Sequence, residues 1–320
     1  MPFSKQHKPP CVVRLSEFSY DKIKLRSTVQ FLGKRGSGKT HAMIELVEFM
    51  SDKFKMAFVF SPTETTRIFM RRCMPEWCVF DLSIEALENV LEGMKARNNS
   101  RKVRGEPMEE WLLITDDCGM DKKFMNCKPL KDLFMNGRHI ACTLFMTVQY
   151  IKSAEICLRS NQDYIFAFYE DNETIRKAIK LEYFSALKHD FENIFDKYTE
   201  NYSAIVAVRT GNSSRNPADT IFFKRTRKED PPHFFIGTKD MQTLGRCYYP
   251  DPNNIAPSII TLPSTSPFPY GPSVSTNFNL DDFEFDEDED EEENVDYFEE
   301  REEEAEEGEE EDEEEDEGED

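Results

Sequence analysis

The sequence predicts an α/β fold built on a largely parallel β-sheet, and three observations support this. Short apolar runs alternate with longer amphipathic runs from about residue 28 to residue 229, the pattern of strands joined by helices. Several short runs are apolar at every position, as strands are when helices cover both faces of the sheet. Finally, a glycine-rich loop joins the first strand to the first helix.

Seven strands and five helices follow from this pattern. The predicted strands cover residues 27–33, 56–62, 110–117, 142–149, 163–170, 203–209 and 219–225. The predicted helices cover residues 39–53, 83–97, 128–136, 172–187 and about 190–198. The turn-rich segment TGNSSRNPA joins the last two strands, so we expect them to form a C-terminal β-hairpin.

The charge is divided between two regions. The net charge is −23, yet residues 281–320 hold 30 Asp and Glu and a single Arg. Residues 1–280 carry 39 Lys and Arg against 33 Asp and Glu, a net charge of about +6. The acidic tail should be disordered, because mutually repelling carboxylates cannot bury enough apolar surface to offset the entropy of ordering. The mildly basic remainder can bind nucleic acid although the overall charge suggests the opposite.

Other patterns are missing from the sequence. It contains no apolar run of eighteen residues, so no membrane span is expected. Its N-terminus has no apolar core or cleavage site of a signal peptide, which favours an intracellular protein. No C-x-x-C pair or zinc-finger spacing occurs, so we expect reduced and mostly buried thiols rather than metal sites or disulfides. The cysteines are Cys11, Cys73, Cys78, Cys118, Cys127, Cys142, Cys157 and Cys247.

The segment GKRGSGKT matches the phosphate-binding pattern G-x-x-x-x-G-K-[ST], and it lies between a predicted strand and a predicted helix, as the motif requires. Its glycines let successive N–H groups converge on phosphate oxygens at a helix N-terminus. Lys39 would reach the β- and γ-phosphates, and the Thr40 hydroxyl would ligate Mg²⁺. The predicted nucleotide-binding residues are Gly33, Lys34, Arg35, Gly36, Ser37, Gly38, Lys39 and Thr40.

Three further polar residues end predicted strands. The run EWLLITDD ends in Asp116 and Asp117, the form of a Walker B strand. We assign Asp116 to Mg²⁺ and Asp117 to the attacking water, which it would orient or deprotonate. Gln149 ends the run CTLFMTVQ, where it would face the ligand crevice and sense the γ-phosphate or the water. No N-K-x-D motif for guanine is present, which favours ATP over GTP.

Taken in order, these residues resemble the viral DNA-packaging ATPases of large nucleocytoplasmic DNA viruses, a branch of the FtsK–HerA superfamily. The likeness spans roughly residues 27–226 and lies in the segments GKRGSGKT, LLITDD, FMNGRH, TVQY and LRSNQDYIF. It implies a RecA-like P-loop NTPase core in a homo-oligomeric ring that hydrolyses ATP to push double-stranded DNA into a preformed capsid. Asp117 stands where many relatives of the wider superfamily have Glu, which leaves the identity of the base open.

In such rings an arginine from the neighbouring subunit completes each site. Arg138 and Arg159 are the candidates for this catalytic role, with a slight preference for Arg159 because LRSN directly precedes a strand. The chain is expected to have four regions: an N-terminal extension (1–26), a P-loop ATPase domain (27–229), a Pro-rich extended arm (230–280) and the disordered acidic tail (281–320). The arm and the tail lie outside the resemblance and are predicted from composition alone.

The expected partners are double-stranded DNA, bound without sequence preference, and a capsid or portal protein. The expected location is the viral factory in the host cytoplasm or the virion. Two basic segments are candidate DNA contacts, 215–228 and 95–105, the latter interpreted as an exposed loop that either enters the channel of the ring or is simply solvated. The acidic tail would either aid solubility and docking or compete with DNA. Two alternatives stay open, a helicase of the same superfamily and a nucleotide-gated capsid scaffold with little turnover.

Overall fold

The computed structural model describes residues 14–153, 155–210, 216–227, 229 and 233–239. Within these residues eight strands form one sheet: β1 (Thr28–Leu32), β2 (Met56–Phe60), β3 (Val79–Phe80), β4 (Trp111–Thr115), β5 (Cys142–Val148), β6 (Tyr164–Ala167), β7 (Ala204–Val208) and β8 (Ile221–Lys224). The α-helices are α1 (Lys39–Phe49), α2 (Glu64–Arg71), α3 (Ile84–Val103), α4 (Lys122–Met125), α5 (Lys128–Asn136), α6 (Ile156–Ser160), α7 (Glu173–Tyr183), α8 (Phe191–Tyr198) and α9 (Pro217–Thr220). Short 3₁₀ helices cover Tyr20–Lys22, Glu76–Cys78, Cys118–Met120, Gly137–Ile140, Ile151–Ser153 and Ser185–Asp190.

The strand order is β3-β2-β4-β5-β1-β6-β7-β8. The first six strands in this order pair in parallel, whereas β7 runs antiparallel to both β6 and β8. This topology confirms the predicted mostly parallel sheet with a C-terminal β-hairpin. The parallel strands β1, β4, β5 and β6 end at one side of the sheet, here called the carboxyl edge, and begin at the opposite side, here called the amino edge.

The core lies on both faces of the sheet. Every residue of β1 and β4 is buried, so the central strands are covered on both sides, as their uninterrupted apolar runs predict. Stacked rings contribute to this packing, with the Phe31 and Phe166 centroids 5.0 Å apart. The segment before β1 is attached to the sheet as well, because the Phe18 amide donates to the Phe223 carbonyl at 2.7 Å.

All seven predicted strands are present, whereas the short helices α4, α6 and α9, helix α2 and strand β3 were not predicted. Strand β3 has only two residues, too few for a periodic pattern. Helix α2 contains consecutive threonines, Thr65 and Thr66, whose β-branched side chains lower helix propensity. Both elements lie between β2 and α3, where the sequence gives no strong local signal.

The segment 95–105 corrects the sequence interpretation, because it is helical through Val103 rather than an exposed loop. Its Asn and Ser residues are weak helix formers and favoured a loop. The buried Asn98 side chain donates to the carbonyls of Glu109 (3.0 Å) and Ile140 (2.9 Å) and accepts from the Glu109 amide (2.8 Å). These long-range hydrogen bonds stabilise the last turns of α3, and no local pattern reveals them.

Several expectations fall outside the described residues: the acidic tail, most of the Pro-rich arm, Cys11, Cys247 and the side chain of Cys157. The other cysteines, Cys73, Cys78, Cys118, Cys127 and Cys142, are free and buried as predicted. In the part of the chain that the structure describes, no helix has the length and apolarity needed to cross a membrane.

Candidate nucleotide-binding site

The glycine-rich segment leaves β1 at the carboxyl edge and enters α1 at Lys39. At two positions of this segment the structure has room or a suitable conformation only for glycine. Gly38 caps α1 with φ 95°, a conformation that residues with a Cβ rarely adopt. A Cβ on Gly33 would lie 2.8 Å from Cβ of Phe168 and 2.9 Å from Oγ of Ser37, so no larger residue fits. The loop therefore has the shape that brings backbone amides together at a helix N-terminus.

Lys39 turns back over this loop. Its ammonium donates to the Lys34 carbonyl at 2.8 Å, and the residue is buried. Burial lowers the pKa of Lys39, while the charges of Asp117, Asp116 and Glu170 act in the opposite direction. The ammonium group thus lies within the field of three carboxylates at the carboxyl edge.

Asp116 follows β4 and is almost completely buried, with 1% of its surface exposed. Three threonine hydroxyls donate to its carboxylate. Thr40 of α1 and Thr147 of β5 bind Oδ1 at 3.1 and 2.7 Å, and Thr66 of α2 binds Oδ2 at 2.8 Å. Hydrogen bonds to the charged form stabilise a buried carboxylate. The direct contact with Thr40 brings the end of β4 to the phosphate loop across the intervening strand β5.

Asp117 is held differently. Its backbone is left-handed, with φ 52°, and its amide donates to the Thr147 hydroxyl at 2.8 Å. The Gln149 side-chain amide donates to both carboxylate oxygens of Asp117, at 2.8 and 3.0 Å. The predicted residues at the ends of β4 and β5 therefore form one hydrogen-bonded group with the start of α1.

The oxygen atoms of Thr40 and Asp116 form a donor set that suits Mg²⁺. This ion prefers oxygen ligands, and it usually combines one or two carboxylates with substrate phosphates rather than an all-protein cage. The described residues contain no group of three His, Cys, Asp or Glu that could hold a metal ion.

Sequence reasoning missed three residues of this site: Thr66, Thr147 and Glu170. The polar Thr147 two residues before Gln149 was a detectable signal, because alternate residues of a strand share a face. Glu170 ends the run DYIFAFYE and was detectable in the same way as Gln149. It is buried, burial raises its pKa, and Oε1 accepts from the amides of Asp171 and Asn172, both at 3.0 Å.

The two candidate arginines lie at the amino edge, not beside the phosphate loop. Arg138 precedes β5 and pairs with Asp163 at 2.6 Å, while 69% of its side chain is exposed. Arg159 precedes β6 and pairs with Glu182 at 3.4 Å, and only 14% of its side chain is exposed. A strand of five residues is about 16 Å long, so both arginines are separated from the phosphate loop of their own chain by the depth of the sheet.

The basic segments carry less free charge than their composition suggests. Glu106 and Glu109 pair with the arginines in or just after the last turns of α3, namely Arg97, Arg101 and Arg104. In the described part of the second segment, Lys224 pairs with Glu45 at 3.7 Å and Arg227 with Glu48 at 3.0 Å. Many of the Lys and Arg side chains that were candidates for binding DNA phosphates are therefore already paired with carboxylates.

Comparison with known proteins assigns the chain to a family. Residues 15–208 match the model of the family described as "Poxvirus A32 protein". The chain belongs to this family. The match spans the phosphate loop, both acids and Gln149, and the membership confirms the resemblance to viral packaging ATPases that the motifs indicated.

Two relatives of this chain are proteins of an invertebrate iridescent virus and of a mimivirus. "Uncharacterized protein 088R" of Invertebrate iridescent virus 3 is 30% identical over 207 residues, which cover 64% of this chain and 77% of the relative. "Uncharacterized protein L437" of Acanthamoeba polyphaga mimivirus is 26% identical over 249 residues, covering 73% and 84%.

Among solved structures, the genome-packaging NTPase B204 of Sulfolobus turreted icosahedral virus 2, in complex with ATP-gammaS, is similar with a TM-score of 0.43. It is 14% identical, covering 62% of this chain and 96% of B204. At this TM-score and identity, the likeness says nothing about what the chain does.

Proposed function

We propose that this chain is a Mg²⁺-dependent ATPase whose hydrolysis of ATP drives double-stranded DNA into a viral capsid. The observation that carries the proposal is the contact between Thr40 of the phosphate loop and Asp116 at the end of β4, 3.1 Å between their oxygens. Binding of a nucleotide and its metal ion by one site requires this convergence of hydroxyl and carboxylate at a helix N-terminus.

Each group has a role in this proposal. The loop amides and Lys39 bind the phosphates, and Thr40 with Asp116 would hold Mg²⁺, which neutralises charge that develops on the phosphoryl oxygens. Asp117 orients the attacking water and accepts its proton. Gln149 donates to both Asp117 oxygens, which fixes the direction in which that carboxylate points.

Completion of the site by a second copy of the chain is part of the proposal. Neither candidate arginine is close to its own phosphate loop, so either one would stabilise transition-state charge only in the site of a neighbouring subunit. The exposed side chain of Arg138 favours it over the largely buried Arg159 for this role. A ring of subunits would provide such contacts repeatedly.

Membership of the Poxvirus A32 protein family supports DNA packaging as the work that hydrolysis drives. The DNA would be gripped through its phosphates without sequence readout, and binding of that kind weakens steeply with salt. A capsid or portal protein is the second proposed partner, and the viral factory or the virion is the proposed location.

The deciding experiment measures phosphate release by the full chain with and without blunt double-stranded DNA, across a salt series. We expect DNA to stimulate hydrolysis at low salt, and Lys39→Ala to abolish hydrolysis at every salt concentration. Lys177→Ala, an exposed position on α7, is the matched control and should retain the activity.

Other outcomes would contradict the proposal. Equal hydrolysis with and without DNA would exclude coupling to DNA movement. Tight ATP binding without phosphate release would favour the nucleotide-gated scaffold, and separation of the strands of the blunt duplex would favour the helicase.

A further inference from the structure

A tight turn between α8 and β7 has an unusual residue. The Ser203 amide donates to the Glu200 carbonyl at 3.1 Å, and the two central residues, Asn201 and Tyr202, have φ of 54° and 61°. Two consecutive positive φ values define a type I′ turn, which favours Gly, Asn and Asp. Asn201 suits such a turn, whereas Tyr202 has a bulky side chain on a left-handed backbone, which is strained. Strain of this kind is concentrated at functional sites.

The Tyr202 side chain lies against the phosphate loop. A Cβ on Gly38 would be 3.2 Å from both Cβ and Cδ1 of Tyr202 and 3.6 Å from Cγ. The tyrosine nevertheless remains 58% exposed. It therefore packs on the glycine that begins α1 and leaves much of its ring open to solvent next to the site.

The topology places Tyr202 on the side of the loop where a nucleoside would extend. The acids and Gln149 follow β4 and β5, on one side of β1. Because β7 is antiparallel to β6, its first residue lies at the carboxyl edge on the other side of β1. A triphosphate whose γ-phosphate faces Asp116 and Asp117 has its α-phosphate, and thus its nucleoside, directed toward β6 and β7.

We propose that the Tyr202 ring is the platform on which the nucleobase of the bound nucleotide stacks. This inference rests on the proposed function and adds to it a binding residue outside the phosphate loop. Stacking on an aromatic ring depends little on the identity of the base, since every base has a π-face. Tyr202 should therefore strengthen the binding of ATP, ADP and GTP alike without selecting between them.

Tyr169 is another exposed aromatic residue near the loop, but its surroundings differ. The Lys34 ammonium lies 5.0 Å from the centroid of the Tyr169 ring and is also paired with Asp171 at 2.7 Å. A cation thus already occupies the vicinity of that ring. Among the described residues, no aromatic ring or cationic group contacts the face of the Tyr202 ring in this way.

Tyr202→Asn tests the proposal, because asparagine fits the left-handed position of the turn and removes only the ring. The measurement is the affinity of the full chain, with Mg²⁺, for ATP, for GTP and for inorganic tripolyphosphate, which has no base. We expect Tyr202→Asn to weaken ATP and GTP binding by roughly tenfold, which is within the range of base–aromatic stacking. Tripolyphosphate affinity should change by less than about twofold, since the phosphate loop is intact. Tyr202→Phe keeps the ring and should restore the nucleotide affinity.

The outcomes separate this proposal from the one on which it rests. Unchanged ATP affinity in Tyr202→Asn, with normal binding by the unmodified chain, would overturn stacking and leave the nucleotide site intact. An equal loss of ATP and tripolyphosphate affinity would also overturn it, because the turn would then act on the phosphate loop itself. If the unmodified chain bound neither ligand, the proposed nucleotide site would fail together with the stacking.

Discussion

The buried and half-buried acids at the two edges of the sheet have different hydrogen-bond partners. At the amino edge, Asp163 accepts from the Arg138 guanidinium at 2.6 Å, and Glu110 accepts from Nε of Arg26 at 2.9 Å. At the carboxyl edge, the side-chain donors to the Asp116 carboxylate among the described residues are three threonine hydroxyls, and the side-chain donor to Asp117 is the Gln149 amide. Within the described residues, no ion pair joins either of these two acids to a lysine or arginine.

This difference indicates that the acids of the amino edge contribute to stability and that those of the carboxyl edge are available to a ligand. A buried carboxylate with a guanidinium partner is electrostatically satisfied by the protein itself. Asp116 and Asp117 are held by neutral donors and interact with the charge of Lys39 without a salt bridge to it, so they can still attract a divalent cation. The amino edge therefore fixes the strands together, while the carboxyl edge presents two oriented charges to the phosphate loop.

The largest effect should come from Arg138, which lies at the amino edge and which we propose completes the site of a neighbouring subunit. We expect Arg138→Ala to lower the ATP hydrolysis rate by about 10³-fold, the typical contribution of an arginine supplied in trans. Phosphate release by the full chain is the measurement.

Mixing experiments separate loss of this contact from misfolding. Arg138→Ala mixed with Lys39→Ala should regain activity, because some interfaces then join an intact phosphate loop to an intact arginine. If Arg159 is the arginine supplied in trans, a mixture of Arg159→Ala with Lys39→Ala should regain activity instead. Lack of recovery in both mixtures would argue against an arginine acting between copies.

Asp117→Asn should lower kcat by about 10²-fold or more, which is the usual scale for loss of a general base. Asparagine keeps the size of the side chain and one acceptor for Gln149, but it cannot take a proton. ATP affinity should stay within about twofold of the unmodified chain, because the phosphate loop and Asp116 are unaltered. A variant with normal kcat would remove Asp117 from the chemistry.

For Asn98, whose partners lie at the amino edge, the effect should be on stability alone. Asn98→Ala leaves the Glu109 amide and two carbonyls without their partner, so the free energy of unfolding should fall by about 2–3 kcal/mol. Asn99→Ala, one residue further along α3 and exposed, is the matched control and should have little effect. Urea denaturation measures both, and equal losses would show that helix propensity rather than the tertiary hydrogen bonds is responsible.

The smallest effect should come from Thr66, whose hydroxyl donates to Asp116 at 2.8 Å. Thr66→Val keeps the shape and removes one donor to a charged acceptor, which should reduce the free energy of unfolding by about 1.5 kcal/mol. Thr65→Val, on the exposed face of the same helix, controls for the change in helix propensity. Thr66→Ser should recover the loss, and a similar loss in Thr65→Val would contradict the role of the hydroxyl.

Much of the site could be predicted because its residues belong to continuous patterns. Lys39 and Thr40 lie in a motif with fixed spacing, and Asp116, Asp117 and Gln149 end apolar runs that predict strands. In a parallel sheet, the ends of such strands meet at one edge. Their proximity therefore followed from the fold class without knowledge of any contact.

Other features could not be predicted, because they depend on contacts between distant segments. Thr66 lies on a helix that the sequence does not predict, and 50 positions separate it from Asp116. Asn98 favours a loop when its local propensity is considered, yet its partners Glu109 and Ile140 keep it helical.

The sequence by itself determined the α/β class, the mostly parallel sheet with its terminal hairpin, and the identity of the loop and the acids that face it. Local spacing and strand periodicity are sufficient for those features, since they arise from neighbouring residues. Only the tertiary structure decided that Tyr202 covers Gly38, that Arg138 is exposed while Arg159 is largely buried, and that three threonines surround Asp116. The physical reason is that burial and hydrogen bonding are properties of residues brought together by packing, not of their order along the chain.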